Sequence, residues 1–77
     1  IAYHNRGNAR FGLGDKSGAI ADYDQAIKLK SDFSSAYYMR GNVRYALGDK
    51  QSAISDFDEA IKLKPDFARA YHDRGLA

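Results

Sequence analysis

The chain has 77 residues, 44% hydrophobic and 29% charged, with no cysteine and a net charge of +2. That composition fits one small folded domain and excludes a disordered tail, a disulfide framework and a thiolate metal site. No apolar run approaches the roughly 20 residues of a membrane helix, and there is no signal-peptide pattern. Lys and Arg are interleaved with Asp and Glu, and a mixed surface of that kind is weak support for a nucleic-acid partner. With no targeting or membrane segment in the sequence, the expected location is the cytoplasm, with no membrane partner.

Taken in order, a first helix is predicted from about residue 1 to Leu13. Tyr3, Gly7 and Phe11 recur along it at helical spacing. Gly14 tolerates the backbone turn that ends it, and Asp15 is placed to cap a second helix from Lys16 to about Leu29. Lys28 and Lys30 sit at the end of that helix, where positive charge suits its dipole. Asp32 is expected to cap a third helix, Phe33 to Leu47, followed by the same Gly48-Asp49 turn and a fourth helix from Lys50 to Leu63. Pro65 and Asp66 then stop that helix and start a fifth, Phe67 to Ala77.

A fixed period organises these elements. Sliding the chain by 34 residues brings together 43 pairs, of which about 25 are identical. Ala53, Ile54, Phe57, Ala60 and Ile61 place small and apolar side chains on one helix face, and the stretch from Ala19 repeats the pattern. Gly7, Gly41 and Gly75 return at one position. Glycine inside a helix costs about 1 kcal/mol relative to Ala, so its recurrence implies close approach of a neighbouring helix.

This helix–turn–helix unit resembles the tetratricopeptide repeat. The positions that carry the resemblance are Tyr3, Gly7, Ala19, Tyr23, Ala26 and Ser31 in the first unit, and Tyr37, Gly41, Ala53, Phe57, Ala60 and Pro65 in the second, then Tyr71 and Gly75. It implies an all-α fold, antiparallel hairpins forming a right-handed α-solenoid. The units fall at about residues 1–33, 34–67 and a partial 68–77, within a single domain that reads as a piece of a longer array. Arg6, Arg40 and Arg74 depart from the family pattern, which has a large apolar residue there; Arg10 and Arg44 replace a frequent Tyr. Asp22, Asp24, Asp56 and Asp58 are their expected partners. The same acids, read by clustering alone, suggest a solvated convex face.

The resemblance further implies a peptide-binding concave groove lined by the first helix of each unit, with no catalytic chemistry, no cofactor and no metal. Groove positions would be His4, Asn5, Asn8 and Phe11, then Tyr38, Met39, Asn42 and Tyr45, then Arg69, His72 and Asp73. Asn8 and Asn42, one period apart, either hold a peptide backbone or face water; an amide offers both donor and acceptor. A subtype that grips a terminal carboxylate would use His4, Asn8, Met39, Arg69 and Asp73. Met39 cannot donate and Asp73 would repel, so acidic tails are disfavoured. An asparagine ladder at Asn5, Met39 and Asp73 stops after its first rung. Gly14-Asp15-Lys16-Ser17 lacks the glycine that a phosphate loop needs before its lysine. Head-to-tail stacking through the end helices is the alternative to groove binding, and RNA binding through the arginines a more distant one.

Overall fold

The computed structural model describes residues 2–64. It contains four helices: α1 Tyr3–Gly12, α2 Lys16–Leu29, α3 Ser34–Ala46 and α4 Lys50–Leu63. Every regular element among the described residues is helical. Pro65, the fifth helix and the positions Arg69, Tyr71, His72, Asp73, Arg74 and Gly75 lie outside them.

Two hairpins are closed by one local device. Gly14 and Gly48 both take φ +86°, a left-handed backbone that favours glycine. The aspartate that follows caps the next helix: Asp15 Oδ1 accepts from Gly18 N at 3.0 Å and Asp49 Oδ1 from Ser52 N at 3.3 Å. The junction between the hairpins differs from expectation. Asp32 does not cap α3; Phe33 occupies the N-cap position, with no side-chain cap bond. Its carbonyl accepts from Ala36 N and Tyr37 N, while its own N–H closes a turn onto Lys30 O at 3.1 Å. The Phe33 ring lies 4.7 Å from that of His4, centroid to centroid, and Lys30 Nζ stands over the Phe33 ring, 5.4 Å from its centroid. Ring packing at the junction thus places Phe33, rather than Asp32, at the start of the helix.

α1 packs on α2, α2 on α3, and α3 on α4, and α1 also touches α3. The core forms in two parts, one of Ala19, Tyr23 and Val43, the other of Tyr38, Ala53, Phe57, Ala60 and Ile61. Met39 packs against both. The recurring glycines make the hairpins tight: a Cβ on Gly7 would lie 2.8 Å from Tyr23 Cε1, and one on Gly41 2.7 Å from Phe57 Cε1. Ala26 is buried in the first hairpin. Tyr3 and Tyr37 are half-buried, each under an arginine of its own helix, with Arg6 Cζ 5.4 Å and Arg40 Cζ 5.3 Å from the ring centroids.

Candidate functional site

The acidic stretches are not simply a solvated face. Asp22 and Asp56 are buried, at 2% and 3% exposure, because each is enclosed by arginines from the preceding helix. Arg6 forks onto Asp22 through Nε at 3.0 Å and Nη2 at 2.8 Å, and Arg10 Nη1 stands 3.4 Å from the same carboxylate. Arg40 repeats the fork on Asp56 at 3.0 and 2.8 Å, and Arg44 Nη1 adds a bond at 2.9 Å. Arg40 has a third bond, from Nη1 to Asp24 Oδ1 at 2.7 Å, which ties the second hairpin to the first. A planar guanidinium can serve two carboxylates in this way because its donors diverge. The hydrogen bond from Arg6 is the main reason that the Asp22 carboxyl is held below its ordinary value, against the opposing effect of burial. Burial by itself would lower the Arg40 pKa, yet the bonds to Asp56 and Asp24 raise it.

These pairs leave the expected groove residues in three kinds of environment. Asn5 and Tyr45 are exposed, and Lys50 Nζ sits 6.0 Å from the Tyr45 ring centroid. His4, Asn8, Phe11, Met39 and Asn42 are half-buried. Tyr38, expected at the groove, is instead core: it is 6% exposed and its ring lies 5.9 Å from that of Phe57. A large ring opposite Phe57 fills the space between α3 and α4, and that packing overrides a groove position. His4, the residue one period earlier, lies against Tyr23 and Phe33, with its Nε2 buried and without a hydrogen-bond partner among the described residues. Arg69 and His72 fall outside the described residues.

The two asparagines are not equivalent. Tyr23 Oη donates to Asn8 Oδ1 at 2.5 Å. Burial pushes the Tyr23 phenol up to about 12, so it stays protonated as a donor. Phe57 stands where Tyr23 does and has no hydroxyl. Asn42 Nδ2 makes a long contact with Met39 Sδ, at 3.8 Å, and sulfur is a weak acceptor. The Tyr-to-Phe change between units was the sequence signal for this difference. A cavity of about 270 Å³ opens at the start of α1 and the end of α2, lined by Tyr3, His4, Ala26, Leu29, Lys30 and Phe33. It is at the small end of ligand sites, a size suited to part of a peptide. No sequence motif marked it, since it is made by residues about one hairpin apart. Among the described residues no group of three His, Cys, Asp or Glu is placed to hold a metal ion. No described helix is long and apolar enough to cross a membrane.

The family model of the tetratricopeptide repeat matches residues 4–68 and 38–77. No curated protein matches the chain. Among solved structures, two of MamA superpose with TM-scores of 0.95 and 0.94 at 36% identity over 96% of this chain. The first TPR of Spaghetti (RPAP3), bound to the HSP90 peptide SRMEEVD, superposes with a TM-score of 0.92 at 28% identity over 96% of this chain. The chain spans 43% and 40% of the MamA chains and 59% of the RPAP3 chain. The stacked hairpins are therefore an α-solenoid of a known kind, and the chain belongs to the tetratricopeptide repeat family.

Proposed function

We propose that the chain is a non-catalytic scaffold that binds a peptide segment of a partner protein along the face shared by α1 and α3. Asn42 carries the reading: a half-buried amide whose described side-chain bond is the long one to Met39 Sδ. It has the capacity to exchange both donor and acceptor with a peptide group. Asn5 and Tyr45 are exposed on the same two helices, and Asn8, His4, Phe11 and Met39 are half-buried there. Aromatic and Met side chains supply apolar contact in interfaces of this kind. The RPAP3 neighbour with its bound HSP90 peptide supports a peptide as the class of partner. Arg6, Arg10, Arg40 and Arg44 each pair with an aspartate, which favours a protein partner over RNA.

Selection from a phage-displayed library of random peptides tests the reading, followed by affinity measurement on Asn42→Ala. The expected result is enriched peptides whose binding weakens about fivefold or more in the variant, the value of one hydrogen bond. Failure to enrich any peptide overturns groove binding. Solution mass that climbs with concentration would put head-to-tail stacking in its place.

A further inference from the structure

Met39 is the one methionine of a chain that has no cysteine. It lies in the middle of α3 and packs against both parts of the core, the one built on Tyr23 and Val43 and the one built on Phe57. A thioether suits that place, being apolar and flexible enough to fill an irregular gap. Met39 is nevertheless only half-buried, and its Sδ stands 3.8 Å from Nδ2 of Asn42, about one helical turn on. One side chain thus meets both parts of the core and an amide of the proposed groove.

In a chain without thiols, the thioether is the sulfur that a peroxide oxidises. The sulfur lone pair attacks one peroxide oxygen and the O–O bond breaks. That oxygen becomes bonded to Sδ, and the other takes up the proton and leaves as water or an alcohol. Sulfur gives up two electrons and the peroxide gains them. The product is a polar, chiral sulfoxide where an apolar group stood. Against the two parts of the core, its oxygen is a polar atom that costs free energy unless it is hydrogen-bonded. Toward Asn42 it is a strong acceptor in place of a weak one, and it takes the Nδ2 donor that a peptide carbonyl would use.

We propose that Met39 is a reversible oxidation site whose sulfoxide ties Asn42 and loosens the contact between the hairpins. The first hairpin already contains a tied amide, Asn8, whose Oδ1 accepts from Tyr23 Oη. Asn5 stands one period before Met39, so the first unit has no such sulfur. The consequence for a bound peptide rests on the groove reading given above, whereas the oxidation and its effect on packing do not.

The test treats the intact chain with hydrogen peroxide. Mass spectrometry should show one added oxygen on the folded chain, in the fragment that holds Met39, and its removal by methionine sulfoxide reductases. The oxidised chain should melt about 4–8 °C lower, the response of a domain this size to one poorly paired buried oxygen. Met39→Leu should melt alike before and after peroxide. At a temperature where both forms are helical, the Asn42 side-chain amide protons should shift and exchange more slowly in the oxidised chain. Oxygen added only after unfolding in urea overturns the site. An unchanged melt overturns the effect on packing, and unchanged Asn42 amide signals, or outright loss of the helices, overturn the tie. Equal destabilisation of Met39→Leu by peroxide places the damage elsewhere and overturns the proposal too. None of these readouts needs a peptide, so failure of groove binding is seen separately, in the library selection.

Discussion

The Tyr23 hydroxyl donates to Asn8 Oδ1 at 2.5 Å across the first hairpin, and Phe57 denies Asn42 the same bond in the second. The two rings meet their glycines alike, Tyr23 against Gly7 and Phe57 against Gly41. One oxygen atom therefore separates a tied amide from a loosely held one.

Exchanging that atom should exchange the behaviour. Tyr23→Phe should remain folded, at a cost of about 1 kcal/mol for the lost hydrogen bond. Phe57→Tyr should supply the missing donor, tie Asn42 and lower the affinity of any peptide that needs its oxygen. Denaturant titration reads the first and peptide binding the second; unchanged affinity in Phe57→Tyr would separate Asn42 from the groove.

The same phenol sets an alkaline limit. Its folded pKa of about 12 exceeds the ordinary value near 10. Deprotonation therefore favours the unfolded chain, and the stability involved is intact below pH 10 and lost as pH rises toward 12. Melting scans between those limits should show a decline that is reduced in Tyr23→Phe.

At the acid end the sign reverses. Asp22 is held below the usual carboxylate range, chiefly by its hydrogen bond from Arg6. Its contribution is present above the unfolded value near 4 and disappears as pH falls through the lower folded value. The melting temperature should drop with acidification below about pH 4, and the acid-sensitive part should shrink in Asp22→Asn.

Asp56 is bonded to both Arg40 and Arg44 and is 3% exposed. Asp56→Ala should cost about 1–3 kcal/mol, because it takes the buried carboxylate from Arg44 and leaves Arg40 its bond to Asp24. In an array this small that loss should appear as unfolding by circular dichroism at temperatures where the parent is helical. A near-parental melt would assign the pair to the surface class, worth about 0–1 kcal/mol.

Two glycines should respond to alanine in opposite directions. A Cβ at Gly41 would meet Phe57 carbons at 2.7 and 2.8 Å, so Gly41→Ala should destabilise, with overpacking of about 1–3 kcal/mol outweighing the gain in helix propensity. Gly12 has nothing within 4 Å of such an atom, and Ala46 already stands one period later. Gly12→Ala should stabilise by up to about 1 kcal/mol. Paired chemical denaturation curves distinguish the two.

The sequence by itself determined the period, the number and order of the described helices, the glycine–aspartate turns and the pairing of arginine with aspartate. All of these are local or repeat from unit to unit, so spacing along the chain records them. Tertiary structure decided the rest. Helical periodicity puts Asp22 and Tyr38 on a face, but only the packing of α1 on α2 and α3 on α4 buries them, one enclosed by arginines and the other set against Phe57. The shift of the α3 cap from Asp32 to Phe33 arises where the Phe33 ring meets His4, a contact between separate helices. The reach of Arg40 to Asp24 likewise depends on how one hairpin lies on the next. That placement is set by packing between helices, and spacing in the sequence carries no record of it.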